Sequence, residues 1–290
     1  MKICINYRFF ANLHLEPANV LRTKIRNTVA PLQLISEVSV RDLNIADVRQ
    51  PKEYEQGHIP GSRLVPLPEL GDRIYELDPE QSTLVYCATG MRSSSAAQIL
   101  AGQGYKRVYN LSGGFKAWNG EAVVGPETFG LELFSGSESL KDLIIIAYGL
   151  EHGLQELYES IQPKVANREV LELFEKLAKI EGRHKERLFR EYQKLDAGIA
   201  DEKNFEEQVV TRALEGGLST EEVLNRIQPL QNSVPRILDL IMSVEAQALD
   251  LYQRAARRQP DKEGRVFLEQ LADEEKSHLV QLGRLLEEVS

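Results

Sequence analysis

The hydrophobic positions change rhythm once along the chain. Up to about residue 118 they come in short β-type runs between Gly and Pro signals: Asn44-Ile45-Ala46-Asp47-Val48, Thr83-Leu84-Val85-Tyr86-Cys87 and Arg107-Val108-Tyr109-Asn110. Helical stretches alternate with these runs, which predicts an α/β layer fold. The stretch from Asn119 to Ser137 carries Gly120, Gly125, Pro126, Gly130 and Gly136 and reads as a linker. Beyond it the apolar residues recur at helical spacing. They predict long amphipathic helices near 137–161, 167–196, 234–258 and 261–288, punctuated by Pro163, Pro229, Pro235 and Pro260. A charged crossover with at least one further helix joins the second to the third. Its start signal is the capping box Ser219-Thr220-Glu221-Glu222.

Length and composition narrow the picture. A chain of 290 residues holds one large or two ordinary domains. With 42% hydrophobic and 27% charged residues, a packed core is available and wholesale disorder is excluded. No apolar run reaches the roughly 18 residues that span a bilayer. The opening Met-Lys-Ile-Cys lacks the features of a signal peptide. Two cysteines, Cys4 and Cys87, exclude a disulfide scaffold and a four-cysteine zinc site, and fit a reducing, cytoplasmic setting. The net charge of −9 argues against nucleic acid as a partner. It is unevenly placed: residues 1–125 hold 14 basic and 12 acidic side chains, and residues 126–290 hold 21 and 32.

The second part repeats itself with an offset of 94 residues. Glu151 and Glu245, Tyr158 and Tyr252, Glu181 and Glu275, and His184 and His278 are all 94 apart. Residues i and i+3 share a helical face, so Glu181 and His184 point together, as do Glu275 and His278. Apolar residues flank them on the same side, among them Leu150, Leu154, Leu177, Leu188, Leu249, Leu271 and Leu282. Carboxylates directed into an apolar seam are costly unless paired or metal-bound. One Glu from each of two helices, with Glu-x-x-His from each of the other two, is the ligand set of di-iron carboxylate bundles. Four carboxylates balance two divalent ions, and mixed carboxylate and imidazole donors suit iron or manganese.

Over about 137–288 the chain resembles the ferritin-like superfamily, specifically rubrerythrin-type domains. The resemblance implies an all-α four-helix bundle and a di-iron centre with Glu151, Glu181, His184, Glu245, Glu275 and His278 as ligands, Glu181 and Glu275 bridging. It also implies reaction with peroxide or oxygen. Tyr158 and Tyr252 read either as hydrogen-bond donors beside the ligands or as core residues. Two departures stand out. Ala248 occupies the position where rubrerythrins carry an extra Glu, and the four cysteines of a rubredoxin module are absent. Electrons then come from an external donor, or from sulfur species made by the first half. His152, next to Glu151, points about 100° away around the helix.

The first part carries one reactive-looking cysteine. Leu84-Val85-Tyr86 runs into Cys87-Ala88-Thr89-Gly90-Met91-Arg92-Ser93, followed by a helix from Ser94 to Ala101. A strand, a small-residue loop and a helix N-terminus form a cradle of backbone N–H groups that lowers a thiol pKa and holds an anion. Over about 35–122 these residues resemble rhodanese, the sulfurtransferase family. The match rests on Asp47-Val48-Arg49 with Glu53-Tyr54, on Gly57-His58-Ile59-Pro60-Gly61, on Cys87-x-x-Gly90-x-Arg92-Ser93, and on Leu111-x-Gly113-Gly114-x-x-x-Trp118.

The resemblance implies a parallel sheet flanked by helices. Cys87 is then a nucleophile that takes a sulfane sulfur, and Arg92 and the amides of Ala88, Thr89, Gly90, Met91 and Ser93 hold the anionic group. Asp47 and Arg49 support the loop, and His58 orders its own turn. Four residues separate Cys87 from Arg92, where dual-specificity phosphatases have five, so the smaller loop favours sulfur; arsenate reduction is the other use of such loops. Expected partners are small sulfur donors, thiol or cyanide acceptors, and a second copy in a homodimer. The division expected is 1–125, a connection over 126–136, and 137–290. Residues 1–34 match no pattern, and Cys4 reads as a small buried residue. A binding or sensing protein, holding iron and carrying sulfur without turnover at the metal, is the alternative to an enzyme.

Overall fold

A computed structural model of the protein describes residues 26–27, 43–118, 120–196, 198, 201–206, 209, 220–230 and 233–289. Cys4 and Ser219 lie outside the described residues, and of 1–34 only Arg26–Asn27 is described. The chain divides into two compact units, Met1–Glu127 and Thr128–Ser290.

The first unit is built on five parallel strands in the order β1-β5-β4-β2-β3. They are β1 (Arg26–Asn27), β2 (Leu43–Asp47), β3 (Arg63–Leu64), β4 (Ser82–Tyr86) and β5 (Arg107–Asn110). The near-continuous apolar runs of β2 and β4 are what a sheet buried on both faces requires. Side chains alternate between the faces. Ile45, Leu84 and Tyr86 meet Ile59 and Leu111 on one side, while Ala46, Val85 and Cys87 meet Ala96, Ala97 and Leu100 on the other. Connecting helices are α1 (Pro51–Glu55), α2 (Leu70–Arg73) and α3 (Met91–Gly102). The two-residue strands β1 and β3 are too short to leave a period in the sequence. Helix α3 starts at Met91 rather than Ser94, because Gly90 turns the chain at φ +96° and already accepts the first helical hydrogen bond from Ser94 N.

The second unit has four long helices: α4 (Leu140–Ile161), α5 (Arg168–Leu195), α8 (Val234–Arg258) and α9 (Lys262–Val289). Each bound has a local cause. Ser139 and Asp142 close a capping box at the start of α4. Asn167 Oδ1 accepts from Glu169 N and Val170 N at the start of α5. Pro235 sits in the first turn of α8, and Pro260 follows its end. Helix α4 packs on α5 and α8 on α9, with α9 also meeting α4 and α5 meeting α8. Arg187 Nη2 bridges to Glu274 at 2.6 Å, tying α5 to α9. The crossover carries α6 (Glu202–Glu206) and α7 (Thr220–Ile227). Phe205 pins α6 down among Tyr148, Phe189 and Tyr192.

The Gly-punctuated stretch predicted as a linker contains the boundary between the two units, after Glu127, and is anchored at a few apolar side chains. Val123 pairs through its backbone with His58 in the first unit. Leu131 and Phe134 are buried in the second unit, where Arg254 Nη1 donates to Phe129 O and Gln259 Nε2 donates to Glu138 O. Apolar side chains between the glycines give these segments something to bury. Among the described residues, no helix is long and apolar enough to cross a membrane.

Candidate active site and candidate metal centre

Cys87 lies at the carboxyl end of the central strand β4, where open parallel sheets place their ligands. Its Sγ accepts from Gly90 N at 3.1 Å and from Ser93 Oγ at 3.5 Å. Burial pushes the thiol up, and hydrogen bonds from Ser93 and from the amides of Ser93, Thr89 and Gly90 outweigh that push. The thiol therefore sits below its ordinary value. The backbone behind the loop leaves no room: a Cβ on Gly114, whose φ is +59°, would fall 2.2 Å from Cys87 O and 2.6 Å from Thr89 N. From that close approach Phe115 N donates to Cys87 O and Lys116 N to Ala88 O, at 2.7 and 3.1 Å.

Arg92 is the second residue of α3 rather than part of a free loop. Its guanidinium makes a two-pronged contact with Glu53 on α1, both bonds 2.8 Å. Those bonds hold the Glu53 carboxyl down at about 2. Glu53 lies in a motif the sequence offers, but the pairing spans 39 residues and no local spacing announces it.

Asp47 and Arg49 form a buried ion pair beside the loop. Arg49 Nη2 is 2.6 Å from Asp47 Oδ2 and 2.7 Å from Gly57 O, and its guanidinium lies 4.3 Å from the Phe115 ring centre. His58 stacks on Tyr54 at 3.6 Å, and its Nδ1 lies 3.0 Å from Tyr54 O. Met91 is exposed at the lip of the loop.

In the second unit the structure brings together the two halves of the 94-residue repeat. Glu151, Glu181 and His184 form one cluster, and Glu245, Glu275 and His278 form another, each with its donor atoms within 4.8 Å of one another. The four carboxylates are 1–3% exposed. His184 Nδ1 lies 2.9 Å from Glu181 Oε2 and 3.4 Å from Glu151 Oε2; His278 Nδ1 lies 2.9 Å from Glu275 Oε2 and 3.5 Å from Glu245 Oε2. The two imidazoles stack at 4.6 Å, so the clusters adjoin.

Burial, with repulsion between neighbouring carboxylates, pushes Glu151 and Glu181 up to about 7. Burial pulls His184 down, but Glu151 and Glu181 override it and raise the imidazole to about 11. Four buried carboxylates thus call for positive charge at their centre. A pair of divalent cations fits that demand and fits the donor set of four oxygens and two nitrogens.

Tyr158 and Tyr252 are buried on α4 and α8, two turns beyond Glu151 and Glu245, and the Tyr158 ring tilts against Phe174 at 5.9 Å. His152 turns away from the clusters. Its Nδ1 is 2.8 Å from Lys185 Nζ, which donates to Glu206 Oε1 at 3.0 Å, and Tyr148 Oη lies 2.7 and 2.8 Å from Glu202 and Glu206. This polar group anchors the crossover helix α6. Sequence reasoning did not find it, because its members come from three helices.

Comparison with known proteins matches both parts of the chain at the level of domains. The rhodanese-like domain model matches residues 31–121, and the rubrerythrin model matches residues 142–286. Among curated relatives, the uncharacterized protein YqhL of Bacillus subtilis (strain 168) is 43% identical over 81 residues, covering 28% of this chain and 64% of its own length. Thiosulfate sulfurtransferase GlpE of Pseudoalteromonas translucida (strain TAC 125) is 37% identical over 86 residues, 30% of this chain and 82% of its own. GlpE of Coxiella burnetii (strain RSA 331 / Henzerling II) is 40% identical over 90 residues, 31% of this chain and 84% of its own. The chain belongs to the rubrerythrin family over its second half and carries, in the same polypeptide, a rhodanese-like domain in its first.

Proposed function

We propose that the protein is a sulfurtransferase joined to a di-iron oxidoreductase. The observation that carries the first part is the Cys87 thiol, held below its ordinary value by loop and side-chain donors at the end of the central strand. In this reading the Cys87 thiolate attacks the outer sulfur of a sulfane donor. A new Sγ–S bond forms, the donor's S–S bond breaks, and the leaving group departs with the bonding pair, which is sulfite when the donor is thiosulfate. The loop amides then stabilise the Cys87 persulfide, and a thiol or cyanide acceptor removes its outer sulfur. The GlpE relatives, named thiosulfate sulfurtransferases, support this chemistry.

In the second unit, Glu151, Glu181 and His184 with Glu245, Glu275 and His278 would hold two iron ions. Such a centre, when bound, supplies electron transfer to peroxide or oxygen. The chain contributes the negative charge that favours divalent cations, the imidazole nitrogens, and an apolar surround that limits water. The sulfur reading is tested by incubating the protein with thiosulfate and cyanide and measuring thiocyanate. Cys87→Ser should abolish turnover while leaving metal content unchanged. Full activity in that variant overturns the reading.

A further inference from the structure

The Cys87 loop holds less positive charge than its sequence suggests. The two guanidiniums of its motifs are each matched by a carboxylate, Arg49 by Asp47 and Arg92 by Glu53. The first pair is buried and supports the sheet. The second stands about a third exposed, within reach of solvent. We propose that Glu53 is a specificity-determining residue. By neutralising Arg92 it turns the loop away from dianionic inorganic donors and toward organic persulfides. The inference rests on the sulfurtransferase reading and narrows its substrate class.

The geometry supports a fixed partner rather than a passing contact. Glu53 is the third residue of α1, and its Oε2 also accepts from Gln50 N at 3.2 Å, so the capping arrangement of α1 aims the carboxylate at Arg92. Both Arg92 bonds are 2.8 Å and join two guanidinium nitrogens to the two carboxylate oxygens, the bidentate form that is among the stronger such contacts. A thiosulfate dianion bound at the loop would therefore meet a neutral Arg92–Glu53 pair rather than a free guanidinium. For a separation on the order of 6 Å, a carboxylate costs a dianion about a factor of ten in a water-like medium, cut to about threefold by physiological salt. An organic persulfide reacts through an R–S–SH group that brings no such double charge. Its outer sulfur passes to the Cys87 thiolate, the S–S bond breaks, and R–S⁻ leaves with the pair.

Glu53→Gln separates charge from fold, because Gln serves the same place in a capping box. It should lower KM for thiosulfate about three- to tenfold, with kcat moving less than KM. KM for a small organic persulfide should stay within about twofold. The gain should shrink as salt is raised. Lys116, exposed beside the loop, is untouched by the change, so the difference reads Arg92. Glu53→Asp, which keeps the charge, should move back toward the wild-type KM. Wild-type protein gives an independent arm: KM for thiosulfate should rise less steeply with ionic strength in the wild type than in Glu53→Gln, whose loop carries one more net positive charge. An unchanged or higher KM in Glu53→Gln, an equal shift for both donors, or a salt dependence as steep in the wild type as in Glu53→Gln overturns the proposal. If Cys87 acquires sulfur normally in these samples, only the role of Glu53 has failed. If Cys87→Ser still transfers sulfur, the underlying reading has failed instead.

Discussion

Gly114→Ala tests the account of the Cys87 loop at its tightest point. The added Cβ would lie 2.2 Å from Cys87 O, 2.6 Å from Thr89 N and 2.7 Å from Ala88 C. All three are backbone atoms, so no side chain can swing aside. Ala at a φ of +59° pays about 1–2 kcal/mol for the left-handed conformation. Overpacking adds about 1–3 kcal/mol. Pushing the loop back also weakens the bonds from Phe115 N and Lys116 N to Cys87 O and Ala88 O, at about 1 kcal/mol each. The first unit should lose about 4–7 kcal/mol if both bonds are lost. Trp118, the chain's single tryptophan, packs against the sheet core of that unit, so its fluorescence during urea titration reports this unit. At a typical slope of roughly 1–3 kcal/mol/M, the midpoint should fall by about 2 M or more. Gly71→Ala is the internal control. Nothing lies within 4 Å of its new Cβ and the residue is helical, so a gain of about 0.5 kcal/mol is expected. Equal midpoints for the two variants would refute the packing argument.

Three further outcomes follow from the same geometry. The rate of Cys87 alkylation by iodoacetamide should rise through a midpoint below that of a free thiol, since donors to Sγ favour the thiolate; Ser93→Ala should move that midpoint up, and no movement would discount the Ser93 bond. Arg49→Leu should destabilise the first unit by ~3 kcal/mol in the Trp118 transition, because the fully buried Asp47 loses its partner; a change under ~1 kcal/mol would mean the pair is dispensable. Stripping metal with a chelator should lower the thermal midpoint of the second unit, followed by far-ultraviolet circular dichroism. Stripped Glu181→Gln should melt above stripped wild type, because one inward carboxylate charge has gone; the reverse order would contradict inward repulsion.

The sequence was most legible where periodicity was long. The bundle helices begin and end at Ser139, Asn167, Pro235 and Pro260 because caps and prolines act locally. The spacing that groups Glu181 with His184 and Glu275 with His278 is equally local, being one helical turn. Strands β1 and β3, two residues each, carry no period to read. The Glu53–Arg92 pair and the Tyr148–Lys185–Glu206 group were invisible for another reason. They join elements far apart in sequence, and charge composition alone does not say which carboxylate meets which cation. The stretch 119–136 holds the boundary between the two units, after Glu127; glycine punctuation marks it but does not announce that Val123, Leu131 and Phe134 are buried within it.

The central claim is that one chain carries a sulfur-accepting Cys87 and a two-metal centre. Its most direct test is native mass spectrometry of anaerobically iron-loaded protein treated with a sulfane-sulfur donor. The account predicts one additional sulfur atom and two metal ions per chain. Cys87→Ser should lose the sulfur and keep the metal, and Glu181→Ala should lose metal and keep the sulfur. Sulfur retained in Cys87→Ser, or saturation at a single metal ion, would contradict it.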